Sequence, residues 1–196
     1  MLKSSLSVAV YAALAALVLK LSVFAMDAQH GGMERYIFMI YMLIMLVAVF
    51  FGIRQFKIKS EATTTYQQDF KAGLSVATYF AIIVGVFTYY YYSRIDPDFF
   101  EIKFAENIKP FEEEVMQKAI AYKEAMTKDL PAQKMQEIVA AKDEAINQYK
   151  KFYSGFHIFF NPTQQFTLTL MWLMFLGLIY SAMTAFFIRK FPGYKK

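Results

Sequence analysis

Residues 163–188, TQQFTLTLMWLMFLGLIYSAMTAFFI, carry no charged side chain. A helix crossing the hydrocarbon core of a bilayer needs ~20 mainly apolar residues, so this stretch has the length and character of a span. Three more such runs lie upstream: residues 36–53 and 72–93 are uncharged, and residues 4–26 hold Lys20 as their one charge. The chain has 21 basic and 16 acidic residues, and they fall almost wholly between the runs, as lipid requires. Four spans in 196 residues predict an all-α fold, an integral membrane four-helix bundle forming a single membrane domain over 1–196.

The first run is read as a retained span. Lys3 precedes it and Val23-Phe24-Ala25 has the small-residue pattern of a cleavage site, but the run is longer than a signal's apolar core and holds Lys20 beside that site. Orientation follows from the basic flanks. Lys3, then Arg54, Lys57, Lys59 and Lys71, then Arg189, Lys190, Lys195 and Lys196 fall on one side, and the connection from Asp27 to Arg35 offers Arg35 alone. Positive flanks resist translocation, so both termini are expected in the cytoplasm and the long segment 94–162 outside, in the periplasm. The net charge of +5 is thus mainly a topological signature. Nucleic acid is not an expected partner, because the segment from Arg94 to Gln164 has ten basic against twelve acidic residues.

Small residues indicate how the spans pack. Gly73, Ala77, Ala81 and Gly85 recur at every fourth position and form a stripe along the third span; Gly177, Ser181 and Ala185 repeat it in the fourth. Ala48 and Gly52 do so weakly in the second span, and Ala12, Ala16 and Lys20 form a line in the first. Such stripes let backbones approach closely where lipid removes the hydrophobic drive for association. Contacts within one bundle are the preferred reading over a dimer interface.

Lys20 is the ionisable residue deepest in a run, and a charge there is by default a functional candidate. It lies six positions before Met26, about 9 Å along a helix, within reach of the interface for a lysine stem. Snorkelling is therefore expected, the alternative being a bundle-facing ammonium held by a boundary acid, a carbonyl or a lipid phosphate. Tyr89, Tyr90, Tyr91 and Tyr92 close the third span, and Phe152, Tyr153, Phe156, Phe159 and Phe160 precede the fourth, as in an interfacial aromatic belt.

The segment 94–162 is expected to be an extramembrane antiparallel helical hairpin. Pro110 and Glu112 to Glu114 suit a helix start, and Phe111, Val115, Ala119, Tyr122 and Met126 recur at helical spacing. Asp129-Leu130-Pro131 interrupts the pattern, and Met135, Ile138, Val139, Ala145, Ile146 and Tyr149 give the second arm an apolar face. No nucleotide-binding loop, nucleophile elbow or paired-histidine motif occurs. His30 and His157 lack metal-motif spacing, and there is no cysteine. No catalytic, metal or cofactor site is expected, and the chain is read as non-enzymatic.

Arg94-Ile95-Asp96-Pro97-Asp98-Phe99-Phe100 follows the tyrosines, Phe51-Gly52-Ile53-Arg54 closes the second span, and Phe70-Lys71-Ala72-Gly73 opens the third. In these motifs the chain resembles a Bacteroidota family of small four-span proteins classified as domain of unknown function 4199. The resemblance implies an inner-membrane location and a variable hairpin before the last span. It brings no reaction and no catalytic residues. It also implies a neighbourhood of polyprenyl-phosphate sugar transferases, and so a membrane partner in a lipid-linked sugar or envelope glycan system. Arg94, Asp96 and Asp98 are candidate polar residues at the exit of the third span, where Pro97 disfavours helix at Asp96 and an acid can pair with Arg94. A turn that sets the exit angle is preferred over a ligand site. The resulting expectation is an accessory or scaffold protein that binds another membrane component, with homo-oligomerisation open. The alternative is a small transporter or lipid-handling protein in which Lys20 meets an anionic substrate.

Overall fold

The computed structural model describes residues 2–29, 33–60, 64–103, 105–106, 109–110, 113–114, 117, 140, 143–144, 147–148, 151 and 161–190. Four long helices result: α1 (Leu2–Ala25), α2 (Met33–Lys59), α3 (Tyr66–Tyr90) and α4 (Pro162–Lys190). A π-helical turn, Tyr91–Ile95, continues α3. All four are long and apolar enough to cross a membrane. They outrun the uncharged runs mainly at the end rich in lysine and arginine, where α2 continues to Lys59, α3 begins at Tyr66 and α4 reaches Lys190.

Local chemistry fixes those ends. Thr65 caps α3: its hydroxyl accepts from the Gln68 backbone N–H at 3.3 Å while the Gln68 side chain accepts from the Thr65 N–H at 2.8 Å. This reciprocal pair satisfies two donors that the first turn would otherwise leave open. Thr65→Ala is expected to lower stability by about 1 kcal/mol, read as a lower melting temperature in mild detergent. At the end of α1, Asp27 takes a left-handed conformation with φ 54°, and the Ala28 N–H reaches the Val23 carbonyl at 3.1 Å, closing the helix.

The chain divides into two compact units, Met1–Ile95 with Pro162–Lys196, and Asp96–Asn161. In the first, α2 and α3 pack on each other, with α1 and α4 against both. Each helix turns one narrow stripe inward. On α1 it is Ser5, Ala9, Ala13, Ala16, Lys20 and Val23; on α2 it is Ile37, Tyr41, Met45, Ala48, Val49 and Ile53. The alternating steps of four and three residues are those of helices crossing at a small angle. The buried line on α1 keeps Ala16 and Lys20 of the line read in the sequence and passes through Ala13 rather than Ala12. Outward faces carry Tyr11, Val18, Met171, Trp172 and Phe175, apolar side chains that lipid solvates.

The second unit is helical at its described residues from Phe99 to Lys151. The hairpin turn at Asp129-Leu130-Pro131, the apolar faces of both arms and the aromatics 152–160 lie outside the described residues, as do His30 and His157.

Candidate functional site

The small-residue stripes meet along the seam between α3 and α4. A Cβ on Gly177 would stand 2.5 Å from the Ala77 Cβ, and one on Gly73 would stand 3.1 Å from the Ser181 hydroxyl and 2.9 Å from Ile53. Ala81 and Ala185 are fully buried. Ser181 donates to the Gly177 carbonyl at 2.6 Å, one turn back, so its hydroxyl is satisfied inside its own helix. Gly85 faces Phe166 across the same seam, and Gly52 of α2 faces Val76 of α3. These positions serve packing inside the bundle.

Among the described residues, polar side chains interrupt the apolar interior of the four-helix unit at each end. At the basic end Asp69, in the first turn of α3, is fully buried. Its Oδ2 lies 3.2 Å from Arg189 Nε of α4 and 3.4 Å from Lys57 Nζ of α2. Arg189 also donates to the Thr64 carbonyl. One carboxylate thus ties three helix ends together, near the α3 N-terminus where the macrodipole favours a negative charge. This clasp was not legible in the uncharged runs, because Asp69 stands three residues before the third one begins. Two signals could have found it. Thr65-Tyr66-Gln67-Gln68 is a capping-box pattern that starts the helix earlier, and Asp69 is one of only two acids among the many bases on that side.

At the other end, where α1 and α3 finish, Lys20 is only 5% exposed. This corrects the expectation that it snorkels. The ammonium donates to the Tyr92 hydroxyl at 3.3 Å and stands 4.5 Å and 5.1 Å from the ring centres of Tyr91 and Tyr92. The two rings meet edge to face at 5.0 Å, and Phe24 of α1 packs edge-on against Tyr91 at 5.9 Å. Aromatic faces attract a cation most strongly where water is excluded, which explains why the lysine stem turns inward instead of climbing to the interface.

Tyr91 and Tyr92 stand two turns after the buried Val84 and Gly85 and so continue the inward face of α3 into the π turn. Thr88 donates to the Val84 carbonyl and Ser93 to the Tyr89 carbonyl, so both hydroxyls are satisfied inside the helix. Tyr91 and Tyr92 are buried, while Tyr89 and Tyr90 are about half exposed on the lipid side. The four tyrosines therefore split between an anchoring pair and a cation-holding pair, which corrects the reading of all four as one belt.

Beside Lys20 lies a cavity of about 240 Å³. All four helices line it. Ile37, Phe38 and Tyr41 come from α2, Phe87 and Thr88 from α3, and Gln165 and Thr169 from α4. Gln165 and Thr169 are one turn apart on one face of α4, and among the described residues their side chains make no hydrogen bond. Lys20→Met is expected to lower the melting temperature in detergent, because it removes the ammonium from two ring faces and leaves the buried Tyr92 hydroxyl without its donor. Arg94, in the π turn, is exposed; Asp96 and Asp98 open the second unit, the first buried and the second exposed. No group of His, Asp and Glu able to hold a metal ion occurs among the described residues.

A family model described as "Protein of unknown function (DUF4199)" matches residues 6–190. The chain belongs to that family. The match runs from the first turns of α1 to the last residue of α4, so this DUF4199 protein carries its Lys20 pocket and its Asp69 clasp inside the family region. No curated protein and no solved structure matches the chain.

Proposed function

We propose that this DUF4199 protein is a non-enzymatic accessory or scaffold protein of a bacterial inner membrane, and that its task is to bind another membrane component. The single observation that carries this reading is the Lys20 cavity. It is a polar recess assembled by all four helices, with Lys20, Thr88, Gln165 and Thr169 among its lining residues. A cation, hydroxyls and an amide make a binding surface; general acid–base chemistry would need paired groups within reach of a reacting atom. Both termini are assigned to the cytoplasm and segment 94–162 to the periplasm, because Lys57, Lys59, Arg189 and Lys190 gather at the end opposite the cavity. The cavity then faces the outer leaflet. The protein partner proposed is a polyprenyl-phosphate sugar transferase of an envelope glycan system, a choice that rests on the family resemblance alone.

Affinity purification from native membranes after brief crosslinking, with the tag on the C-terminus, tests the scaffold reading. The expected result is a reproducible membrane partner that disappears when residues 111–149 are replaced by a short linker. Recovery of the chain alone, with or without that segment, would contradict it.

The second reading, lipid handling or transport of an anion, is favoured by the depth of Lys20. Transporter sites are commonly polar recesses between helices. Unchanged uptake of every candidate anion by reconstituted Lys20→Ala protein would remove transport and leave binding.

A further inference from the structure

An open apolar groove of about 770 Å³ lies between α2 and α4, with Leu46, Val47 and Phe50 of the one and Met183, Phe187 and Ile188 of the other among its lining residues. Val47, Met183 and Phe187 are about half exposed, so the groove opens on the lipid-facing surface. Both helices finish in basic last turns, at the end of the bundle that carries the Asp69 clasp. Apolar walls alone name no occupant, because a lipid tail gains little by exchanging other tails for leucine and phenylalanine.

The cations at the end of the groove are more selective. Arg54 stands two turns beyond Val47, Lys57 two turns beyond Phe50 and Lys190 two turns beyond Met183, so the lining rows of both helices run out into positive side chains. Arg54 and Lys190 are exposed and make no ion pair among the described residues. Lys57 Nζ and Arg189 Nε both reach Asp69 Oδ2, at 3.4 Å and 3.2 Å, so two cations share one carboxylate and the clasp keeps a positive charge in excess. Both cations are partly exposed while the carboxylate is fully buried, which turns that excess outward. The flanking sequence does not cancel it: the basic side holds nine lysines and arginines against Glu61 and Asp69. An occupant that fits is apolar along the groove and negative where the groove meets the membrane boundary. An anionic phospholipid has both properties in that order, and juxtamembrane lysine and arginine are what attract its headgroup.

We propose that the α2–α4 groove holds one anionic phospholipid of the leaflet at the basic end, with an acyl chain along the groove and the phosphate drawn by Arg54, Lys190 and the positive excess of the clasp. This goes beyond the scaffold reading and is independent of it, since the groove shares no lining residue with the Lys20 cavity. Because the lipid touches both helices and is lost on unfolding, its binding also stabilises the bundle.

The test uses the full chain, delipidated in a nonionic detergent and titrated separately with phosphatidylglycerol and phosphatidylcholine, with adducts counted by native mass spectrometry. One phosphatidylglycerol per chain, bound about tenfold or more tightly than phosphatidylcholine, is the expected result, together with a higher melting temperature in its presence. Arg54→Gln combined with Lys190→Gln should remove most of that preference, and Met183→Trp, which fills the groove, should weaken the adduct without touching a cation. All three positions are exposed, and melting curves recorded in parallel separate lost binding from lost folding. Lys71→Gln is the control: Lys71 is exposed on the face of α3 opposite Asp69, and its loss should leave binding within about twofold of wild type. Equal binding of the two lipids, or an equal loss in Lys71→Gln and in the double variant, would show only a diffuse layer of boundary lipid and overturn the proposal. A lipid-free dimer that Met183→Trp dissociates would place a second copy of the chain in the groove and overturn it as well. Either failure would leave a protein partner found by crosslinking untouched, whereas a missing partner would leave the lipid result standing.

Discussion

Arg189→Ala is expected to lower the stability of the detergent-solubilised protein by about 3 kcal/mol, more than Asp69→Asn does. The two ends of the ion pair are not equivalent. The Asp69 side chain is 0% exposed, whereas those of Lys57 and Arg189 are 19% and 38% exposed. Without Asp69, both cations can turn toward water at the membrane boundary. Without Arg189, the carboxylate keeps only Lys57, and its Oδ1 is already buried with no hydrogen-bond partner. A buried acid stripped of counter-charge is the costly case, because desolvation remains while the compensating attraction is gone. Arg189 also loses its hydrogen bond to the Thr64 carbonyl, loosening the turn ahead of α3. Asp69→Asn should cost about 1 to 2 kcal/mol, reduced by the hydration of the cations. Thermal unfolding of the two variants side by side gives the ordering, and equal losses would show that the acid and the base contribute symmetrically.

Gly177→Ala should destabilise the bundle by about 2 to 3 kcal/mol through one misplaced methyl group. Its Cβ would lie 2.5 Å from the Ala77 Cβ, and neither atom has a torsion with which to move away. Relief requires shifting α3 or α4 as a whole, against the remainder of the seam. Gly85→Ala is the contrast: its Cβ would meet the edge of the Phe166 ring at 3.3 Å, and a ring can tilt. The steric origin is checked by the double variant Gly177→Ala with Ala77→Gly, which moves the methyl group across the seam and should recover most of the loss. Failure of that rescue would place the cost in the helix backbone rather than in the contact.

The four spans and their inward stripes were legible because burial in lipid imposes a simple rule: no charge for about twenty residues, and small residues where backbones meet. Spacing alone showed the stripes of Gly73 and Ala77 and of Gly177 and Ser181, each on its own span; that the two meet in one seam is a finding of the structure. The polar clusters were less legible because each depends on residues from separate runs. Asp69 looks like loop chemistry until Thr65 and Gln68 are read as a cap that carries the helix back past it. Lys20 follows the snorkelling rule by position, and what overrides the rule is the pair of buried tyrosines that α3 turns toward it. Tyr91 and Tyr92 share the inner face with Val84 and Gly85 two turns earlier, a register readable in the sequence but obscured because four consecutive tyrosines at a span end look like a belt.

The binding role requires the Lys20 cavity to stand open at the outer boundary of the membrane, and the absence of cysteine from the chain makes that directly measurable. Gln165→Cys on the cavity wall and Lys59→Cys at the basic end can be exposed in turn to a membrane-impermeant thiol reagent in intact cells. Labelling of Gln165→Cys without permeabilisation, and of Lys59→Cys only after it, is the expected result. Labelling of Lys59→Cys in intact cells, with Gln165→Cys reacting only after permeabilisation, would contradict both the orientation and the outward-facing cavity.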